Sequence, residues 1–185
     1  MKKTLSLLFT FSISFFSVYA LDGTGSQNDP FQIGSAEELF EFTELAKKDI
    51  NACAILTNDI TVNEIEFDNA GNPTREDFKE WIPIGNDSVA YNGTFDGANH
   101  AIRGIYLVNT KLDYIGLFSH IDSLGVVKNL TIKDSYIKGH QFNGFVCGHN
   151  KGTIKNCRNY GTIGYANDYS GGIVGLNEKD VLSCV

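Results

Sequence analysis

Four cysteines are the residues of this 185-residue chain that could bind a metal or form a disulfide: Cys53, Cys147, Cys157 and Cys184. Their spacings match no zinc pattern, so the sequence predicts no metal and no cofactor. Cys157 and Cys184 occupy equivalent places in an internal repeat and could pair as a disulfide. Alternatively, they could be small buried hydrophobic residues in one column. We favour this interpretation because free cysteine is one of the most buried residue types.

The histidines do not suggest a metal centre either. His100, His120, His140 and His149 lack the i,i+4 or His-x-His spacing of metal ligands. The chain also contains no G-x-S-x-G, HExxH or Walker sequence, so the common hydrolase and nucleotide-binding signatures are missing.

A cluster of tyrosines and amides in the C-terminal third is a candidate ligand face. Tyrosine rings can stack on sugars while neighbouring amides bond the hydroxyl groups. Tyrosines are also ordinary on exposed strands, so a purely structural role is the competing interpretation. The candidate residues are Tyr136, Asn159, Tyr160, Tyr165, Asn167, Asp168 and Tyr169.

Cleavage of polysaccharides is the main catalytic alternative. A glycoside hydrolase needs two carboxyl groups roughly 5 to 9.5 Å apart. The candidates Asp134, Asp168 and Asp180 occupy unlike positions in the sequence, and nothing in the sequence brings them together. A lyase would need a basic residue beside acidic calcium ligands, for which Arg158 alone is insufficient. The sequence therefore predicts a non-catalytic protein, with no catalytic residues to assign.

An internal repeat between Gly116 and Cys184 positions most of these residues. Gly116, Gly144 and Gly172 lie in three similar segments and step by 28 in residue number, whereas Val127, Ile154 and Val181 step by 27. The set Leu130, Cys157 and Cys184 also steps by 27. A repeat with a period between about 20 and 50 residues indicates a solenoid, a propeller or a repeat array.

The composition of the repeat selects a solenoid of short strands. Each unit holds short β-branched or aromatic runs broken by Gly, Asn and Asp, with no ten-residue stretch of helical spacing. Stacked coils place equivalent residues roughly 4.8 Å apart, so both sets that step by 27 should form inward columns. The glycine column should mark a corner with positive φ or too little room for a Cβ.

Two stretches also carry a family resemblance. Residues 145–157 (FVCGHNKGTIKNC) and 171–177 (GGIVGLN) resemble the GLUG-motif repeats of bacterial surface proteins. Residues 81–85 and 93–104 resemble the segment that commonly precedes those repeats. The resemblance covers about residues 22–185. It implies a right-handed parallel β-helix in an adhesin-like protein, or beside the protease domain of an IgA-specific metalloendopeptidase, and it transfers no catalytic residues.

The N-terminal region lies outside the repeat and has a different sequence pattern. Residues 1–20 have a basic start, an apolar core and small residues before the cleavage point, which predicts a secretory signal peptide. Residues 21–80 should form an N-terminal cap and first coil, with a capping box at Ser35 and Glu38 that starts a helix over about 36–48. The polar composition of residues 65–80 predicts a protruding loop. Trp81, which follows the loop, is predicted to be a buried anchor.

These features predict a secreted or cell-surface module that acts as a non-catalytic adhesin or scaffold, with a glycan or a protein as partner. The alternatives are a polysaccharide lyase or hydrolase, or the accessory domain of a larger surface protease. A net charge of −7 without a basic stripe argues against nucleic acid, and no later segment is apolar enough to span a membrane. Residues 81–185 should be repeats that continue beyond Val185, which predicts end-to-end association through an unpaired last strand.

Overall fold

The computed structural model describes residues 21–164 and 168–185. The predicted signal peptide, Tyr165 and Asn167 lie outside the described residues. The described chain is nearly all β, a parallel β-solenoid of about five turns with one short helix. The elements are β1 (Phe31–Ile33), α1 (Ala36–Lys48), β2 (Ala54–Leu56), β3 (Ile60–Thr61), β4 (Thr94–Asp96), β5 (Ala101–Arg103), β6 (Tyr106–Val108), β7 (Phe118–Ile121), β8 (Val126–Lys128), β9 (Thr131–Lys138), β10 (Gln141–Gly144), β11 (Cys147–Asn150), β12 (Thr153–Lys155), β13 (Arg158–Ile163), β14 (Asp168–Gly171), β15 (Val174–Asn177) and β16 (Asp180–Leu182).

Four sheets run along the solenoid, and their strands pair in parallel with the equivalent strand one coil away. The six-stranded sheet has the order β1-β2-β4-β8-β12-β16, and the five-stranded sheet contains β13-β9-β5-β3, with β6 paired to the second half of β9. A three-stranded sheet has the order β15-β11-β7, and β10 pairs with β14. The predicted parallel β-solenoid is confirmed.

The two predicted inward columns are present inside the coils. Val127 pairs with Ile154, which pairs with Val181. The backbone N–H of Arg158 donates to Leu130 O at 2.8 Å, and that of Val185 donates to Cys157 O at 3.0 Å, which aligns Leu130, Cys157 and Cys184. All four cysteines are free thiols, so the possible Cys157–Cys184 disulfide is not formed in this structure.

The predicted glycine corner is partly wrong. Gly144 pairs with Gly171, not with Gly172. A Cβ on Gly116 would lie 2.2 Å from Gly144 O, so close approach does require glycine there, whereas a Cβ on Gly172 would meet only open space and one distant side-chain atom. None of the three predicted corner glycines has positive φ. The step from β10 to β14 at this corner is already 27, which moves the column by one position.

Positive φ occurs instead at non-glycine positions of the coil. Tyr114, Phe142 and Tyr169 have φ of 56° each, and Asn129 and Asn156 each have φ of 53°. Such left-handed residues turn the chain sharply between strands, and neighbouring coils repeat the same turn. These corners depend on side chains that bond or stack with their equivalents rather than on glycine.

The helix covers the N-terminal end of the solenoid, as predicted. The Ser35 hydroxyl accepts the Glu38 N–H at 3.2 Å, and the Glu38 carboxylate accepts the Ser35 N–H at 3.1 Å, which confirms the capping box. The buried face of α1 presents Phe42, whose ring lies 5.8 Å from that of Phe95 and 6.2 Å from that of Tyr91. The helix therefore closes the first coil with aromatic contacts.

The long loop packs against the solenoid and does not protrude. Asn63 Nδ2 donates to Gly104 O at 2.8 Å and to Lys79 O at 2.9 Å, which ties both ends of the loop to the sheet. The Phe78 ring lies 5.0 Å from that of Tyr106. Trp81 is buried, as predicted, and its Nε1 donates to Leu117 O at 3.2 Å.

Candidate functional site

The predicted tyrosine face is divided among different parts of the molecule. Tyr136 is buried beneath the long loop, whereas Tyr160 is 62% exposed on the five-stranded sheet and Tyr169 is 66% exposed beside β10. Asn159 is half-buried, and its Oδ1 accepts the Gly161 N–H at 2.9 Å. Asp168 is the first residue of β14. No shared face is formed by the predicted residues that the structure describes.

Tyr169 belongs to an aromatic column that sequence reasoning missed. The rings of Tyr114 and Phe142 stack at 4.7 Å and 5°, and those of Phe142 and Tyr169 at 5.1 Å and 7°. The column could have been found, because its members step by 28 and then by 27, like the repeat itself. Since the rings cover one another's faces, the column stabilises the corner and offers mainly ring edges to a ligand.

The candidate catalytic carboxylates lie on three different sheets. Asp134 is in β9 of the five-stranded sheet and pairs with Arg103 at 2.6 Å. Asp168 begins β14, and Asp180 begins β16 of the six-stranded sheet. Arg158 is exposed at the start of β13.

A groove runs across the outer face of the six-stranded sheet. One part of it has a volume of about 390 Å³ and a second part about 330 Å³. Both parts are lined by Gln27, Cys53, Thr94 and Val126, so they are continuous. We call this feature the sheet groove. The segment before β1 also contributes to its lining, through Gln27 and Pro30.

Charged and polar side chains line one length of the sheet groove. Lys128 Nζ lies 3.0 Å from Asp96 Oδ2, and Lys155 is exposed one strand further along. Burial acts to raise the pKa of Asp96, but hydrogen bonds from the Ala98 N–H, from Asn129 and from Lys128 outweigh it and lower that pKa. Asp96 is therefore a carboxylate at neutral pH, beside Lys128 and the half-buried apolar side chains of Ile55 and Val126.

A separate cleft of about 270 Å³ lies on the three-stranded sheet and is lined by two histidines. His120 in β7 pairs with His149 in β11, and their ring centroids are 5.3 Å apart. Tyr114 lies against both rings, at 4.9 Å from His120 and 5.5 Å from His149. We call this site the histidine cleft. The histidines step by 29, which differs from the 27 and 28 of the visible repeat and hid them in the sequence.

Each histidine of the cleft faces a carboxylate. His149 Nε2 lies 2.6 Å from Glu178 Oε1, and this hydrogen bond lowers the pKa of Glu178. His120 Nε2 lies 2.5 Å from Asp87 Oδ1, but no described partner meets this buried nitrogen with hydrogen-bond geometry. Burial lowers the pKa of His120, against the opposing effect of Asp87. The lowered pKa favours the neutral imidazole of His120 at neutral pH, with its Nε2 in close contact with the Asp87 carboxylate.

No helix among the described residues has both the length and the apolar character needed to cross a membrane. The described residues also contain no cluster of three or more His, Cys, Asp or Glu side chains arranged to hold a metal ion.

Comparisons with known proteins give partial matches and do not show a family. No family model matches the chain. It is 29% identical over 163 residues to halomucin of Haloquadratum walsbyi, and 28% identical over 143 residues to a candidate Gly-rich membrane protein of Evansella cellulosilytica. The matches cover 84% and 76% of this chain but only 2% and 15% of those relatives. A candidate immunoglobulin A1 protease from Bacteroides ovatus aligns with 88% of this chain and 66% of its own, at 16% identity and a TM-score of 0.47. The chain is thus similar to short segments of the two sequence relatives, which are much longer proteins.

Proposed function

We propose that this chain is a secreted or cell-surface β-solenoid module that binds an extended glycan without cleaving it. The observation that carries the proposal is the sheet groove, which is open, elongated and lined by both apolar and hydrogen-bonding groups. Ligand sites in proteins combine concave apolar surface with a few placed polar groups in this way.

The dimensions of the groove favour a polymer over a small molecule. It is lined by residues of β2, β4, β8 and β12, which are successive strands of one parallel sheet. Strands about 4.8 Å apart give a path of about 14 Å along the solenoid axis. A glycan chain lying along this path would meet the same outward positions once per coil.

The groove offers the groups that sugar hydroxyls require. Gln27, Asn51 and Asn92 provide amides, and Thr94 provides a hydroxyl. The Asp96 carboxylate can accept hydrogen bonds from a ligand and the paired Lys128 can donate them, and charge-assisted bonds are stronger than neutral ones. The pair is one-third exposed or less on each side, so it can reach a ligand while its partners hold it in place.

A location outside the cell is supported by two observations. Residues 1–20 have the pattern of a signal peptide. One relative is named a halomucin and the other a Gly-rich membrane protein. The non-catalytic role is supported by the placement of Asp134, Asp168 and Asp180 on three different sheets.

Filling the groove tests the binding proposal. We would screen the purified chain against a panel of bacterial, plant and host polysaccharides and measure affinity for the hits by calorimetry. Thr94→Trp places an indole where the two parts of the groove meet and should abolish binding. Thr131→Trp places the same ring on the outer face of β9 and should leave binding unchanged. Equal binding by the two variants would exclude the sheet groove as the glycan site.

A product assay tests the non-catalytic role. The purified chain, with or without calcium, should release neither reducing ends nor unsaturated products from any polysaccharide of the panel. Sustained release that is lost in Asp134→Asn or Asp168→Asn would show that the protein is an enzyme.

A further inference from the structure

We propose that the glycan bound in the sheet groove is acidic, and that its anionic groups, carboxylate or sulfate, contact Lys128 and Lys155. This inference rests on the proposed function, because it names the class of ligand for the same groove. The observation that carries it is a column of outward side chains along the groove that contains more positive than negative charge.

The register of the six-stranded sheet builds this column. Asp96 on β4 pairs with Lys128 on β8, which pairs with Lys155 on β12. Ile55 precedes them on β2, and Leu182 follows them on β16. Parallel strands repeat roughly every 4.8 Å, which is close to the length of one sugar residue. Successive residues of an extended glycan would therefore meet successive side chains of the column.

The charges within the column do not cancel. Lys128 Nζ lies 3.0 Å from Asp96 Oδ2, so these two charges offset each other. Lys155 is exposed and makes no ion pair with any described residue. Among the described residues that line the two parts of the groove, Asp96 is the only carboxylate, against two lysines. The groove therefore has an excess of positive charge, although the whole chain has a net charge of −7.

The other clefts formed by the described residues lack this excess. The histidine cleft is lined by two carboxylates and one lysine besides its histidines. The cleft beneath the long loop is lined by one carboxylate and one lysine, and the cleft at the start of α1 by two carboxylates and no lysine. Of these four clefts, only the sheet groove has more lysines than carboxylates. Local charge of this kind raises the concentration of an oppositely charged ligand at the site.

The neighbouring outward column limits where the anionic groups can lie. It contains Thr94, Val126 and Thr153, and it ends at Asp180 on β16. Asp180 would repel an anion placed beyond Lys155, whereas the two threonines offer hydroxyls beside the lysines. The anionic groups should therefore lie over β8 and β12, with neutral parts of the glycan toward β2.

Matched polymers test the charge of the ligand. We would measure by calorimetry the affinity of the purified chain for hydroxyethyl cellulose, carboxymethyl cellulose and cellulose sulfate, which share one backbone. At least one acidic polymer should bind about tenfold more tightly than the neutral one, and its affinity should fall with added salt. The tighter of the two acidic polymers identifies the preferred anionic group. Equal affinity for all three, or no binding of either acidic polymer, would overturn the proposal.

Two lysine substitutions keep the test specific to the groove. Lys155→Gln removes the unpaired charge and should weaken binding of the acidic polymer about fivefold, the upper range for one exposed charge pair. Lys111→Gln is the matched control, because Lys111 is exposed between β6 and β7 and lines none of the four clefts. It should change nothing. Equal affinities for the two variants would contradict the proposed contacts.

Asp96→Asn separates an acidic ligand from a neutral one by the sign of its effect. The substitution removes the carboxylate from the groove but keeps an oxygen that can accept the Ala98 N–H, so the local turn is retained. Affinity for the acidic polymer should rise about threefold, because a repulsive charge is lost and Lys128 is released. A neutral glycan that used the carboxylate as an acceptor should instead bind more weakly. Unchanged or reduced affinity for the acidic polymer would count against the inference.

The two proposals fail in different ways. Binding of a neutral polysaccharide that is lost in Thr94→Trp, without binding of the acidic polymers, would keep the groove as a glycan site and refute the acidic ligand. Binding of an acidic polymer that persists in Thr94→Trp would refute the groove itself. Absence of binding by every polysaccharide would contradict both.

Discussion

The two ends of the solenoid fill their interiors in different ways. The first coils enclose large aromatic side chains, among them Trp81, Tyr91 and Phe95, each at most 1% exposed. The later coils enclose a column of smaller residues that includes Val127 and Ile154. The first end is irregular and closed by a helix, whereas the later end repeats one pattern.

The difference indicates which contacts stabilise each end of the solenoid. Aromatic residues at the first end bury large areas in a single cluster with the helix. The later coils add bonded columns instead: Asn150 Nδ2 donates to Asn177 Oδ1 at 2.8 Å, and Asn156 Nδ2 donates to Asn129 Oδ1 at 3.1 Å. Each later coil is therefore stabilised by its neighbours, as in other repeat proteins.

The largest expected effect comes from a charge inside the repeat column. Ile154→Asp buries an unpaired carboxylate between two coils and should lower the free energy of unfolding by about 5 kcal/mol. Val181→Asp changes the next residue of the same column, which is only half-buried, and should have much less effect. Urea unfolding followed by circular dichroism measures both. Equal losses would show that the coil beyond Ile154 is as enclosed as the coil before it.

The second-largest loss of stability is expected when Phe42, the aromatic residue that anchors the helix, is removed. Phe42→Ala leaves a cavity against Tyr91 and Phe95 and should reduce the free energy of unfolding by about 4 kcal/mol. The exposed helix substitution Glu44→Ala is the control and should change it little. If the ends are as different as proposed, hydrogen exchange in Phe42→Ala should accelerate more in β2 and β4 than in β12. Uniform acceleration would instead mean that the solenoid unfolds as one unit.

An intermediate effect is expected from a buried amide. The Asn150 side chain accepts the Gly152 N–H at 3.0 Å and bonds Asn177 in the next coil. Asn150→Ala leaves these groups unpaired and should reduce the free energy of unfolding by about 2 kcal/mol. Asn177→Ala, at an exposed position, should reduce it less. A neutral Asn150→Ala would show that the bonded columns do not stabilise the later coils.

The smallest effect concerns pH. Burial lowers the pKa of His120 in the folded chain, so the unfolded chain binds the proton more tightly. Stability should therefore decrease as the pH falls through about 6.5, the ordinary histidine value, toward the lowered folded pKa. The urea midpoint should drop between pH 7.5 and 5.5, by less in His120→Gln than in the unchanged chain. His100→Gln should keep the full drop, and an identical drop in all three would contradict the assignment.

The sequence by itself determined the repeat columns and the N-terminal cap. The inward pairs Val127–Ile154 and Leu130–Cys157 followed from a shared step of 27, because stacked parallel strands align equivalent residues. The capping box at Ser35 could be predicted from the sequence because its partners lie within one helical turn of each other.

Only the tertiary structure decided which surface residues meet. Tyr136, Tyr160 and Tyr169 are near one another in sequence, yet the loop buries the first and the corners direct the other two to different sheets. His120 and His149 meet although their step of 29 matches neither visible period. The reason is geometric: corners absorb added residues locally, so the step is 29 between β7 and β11 but 27 between β8 and β12, and a single period cannot predict which surface residues meet.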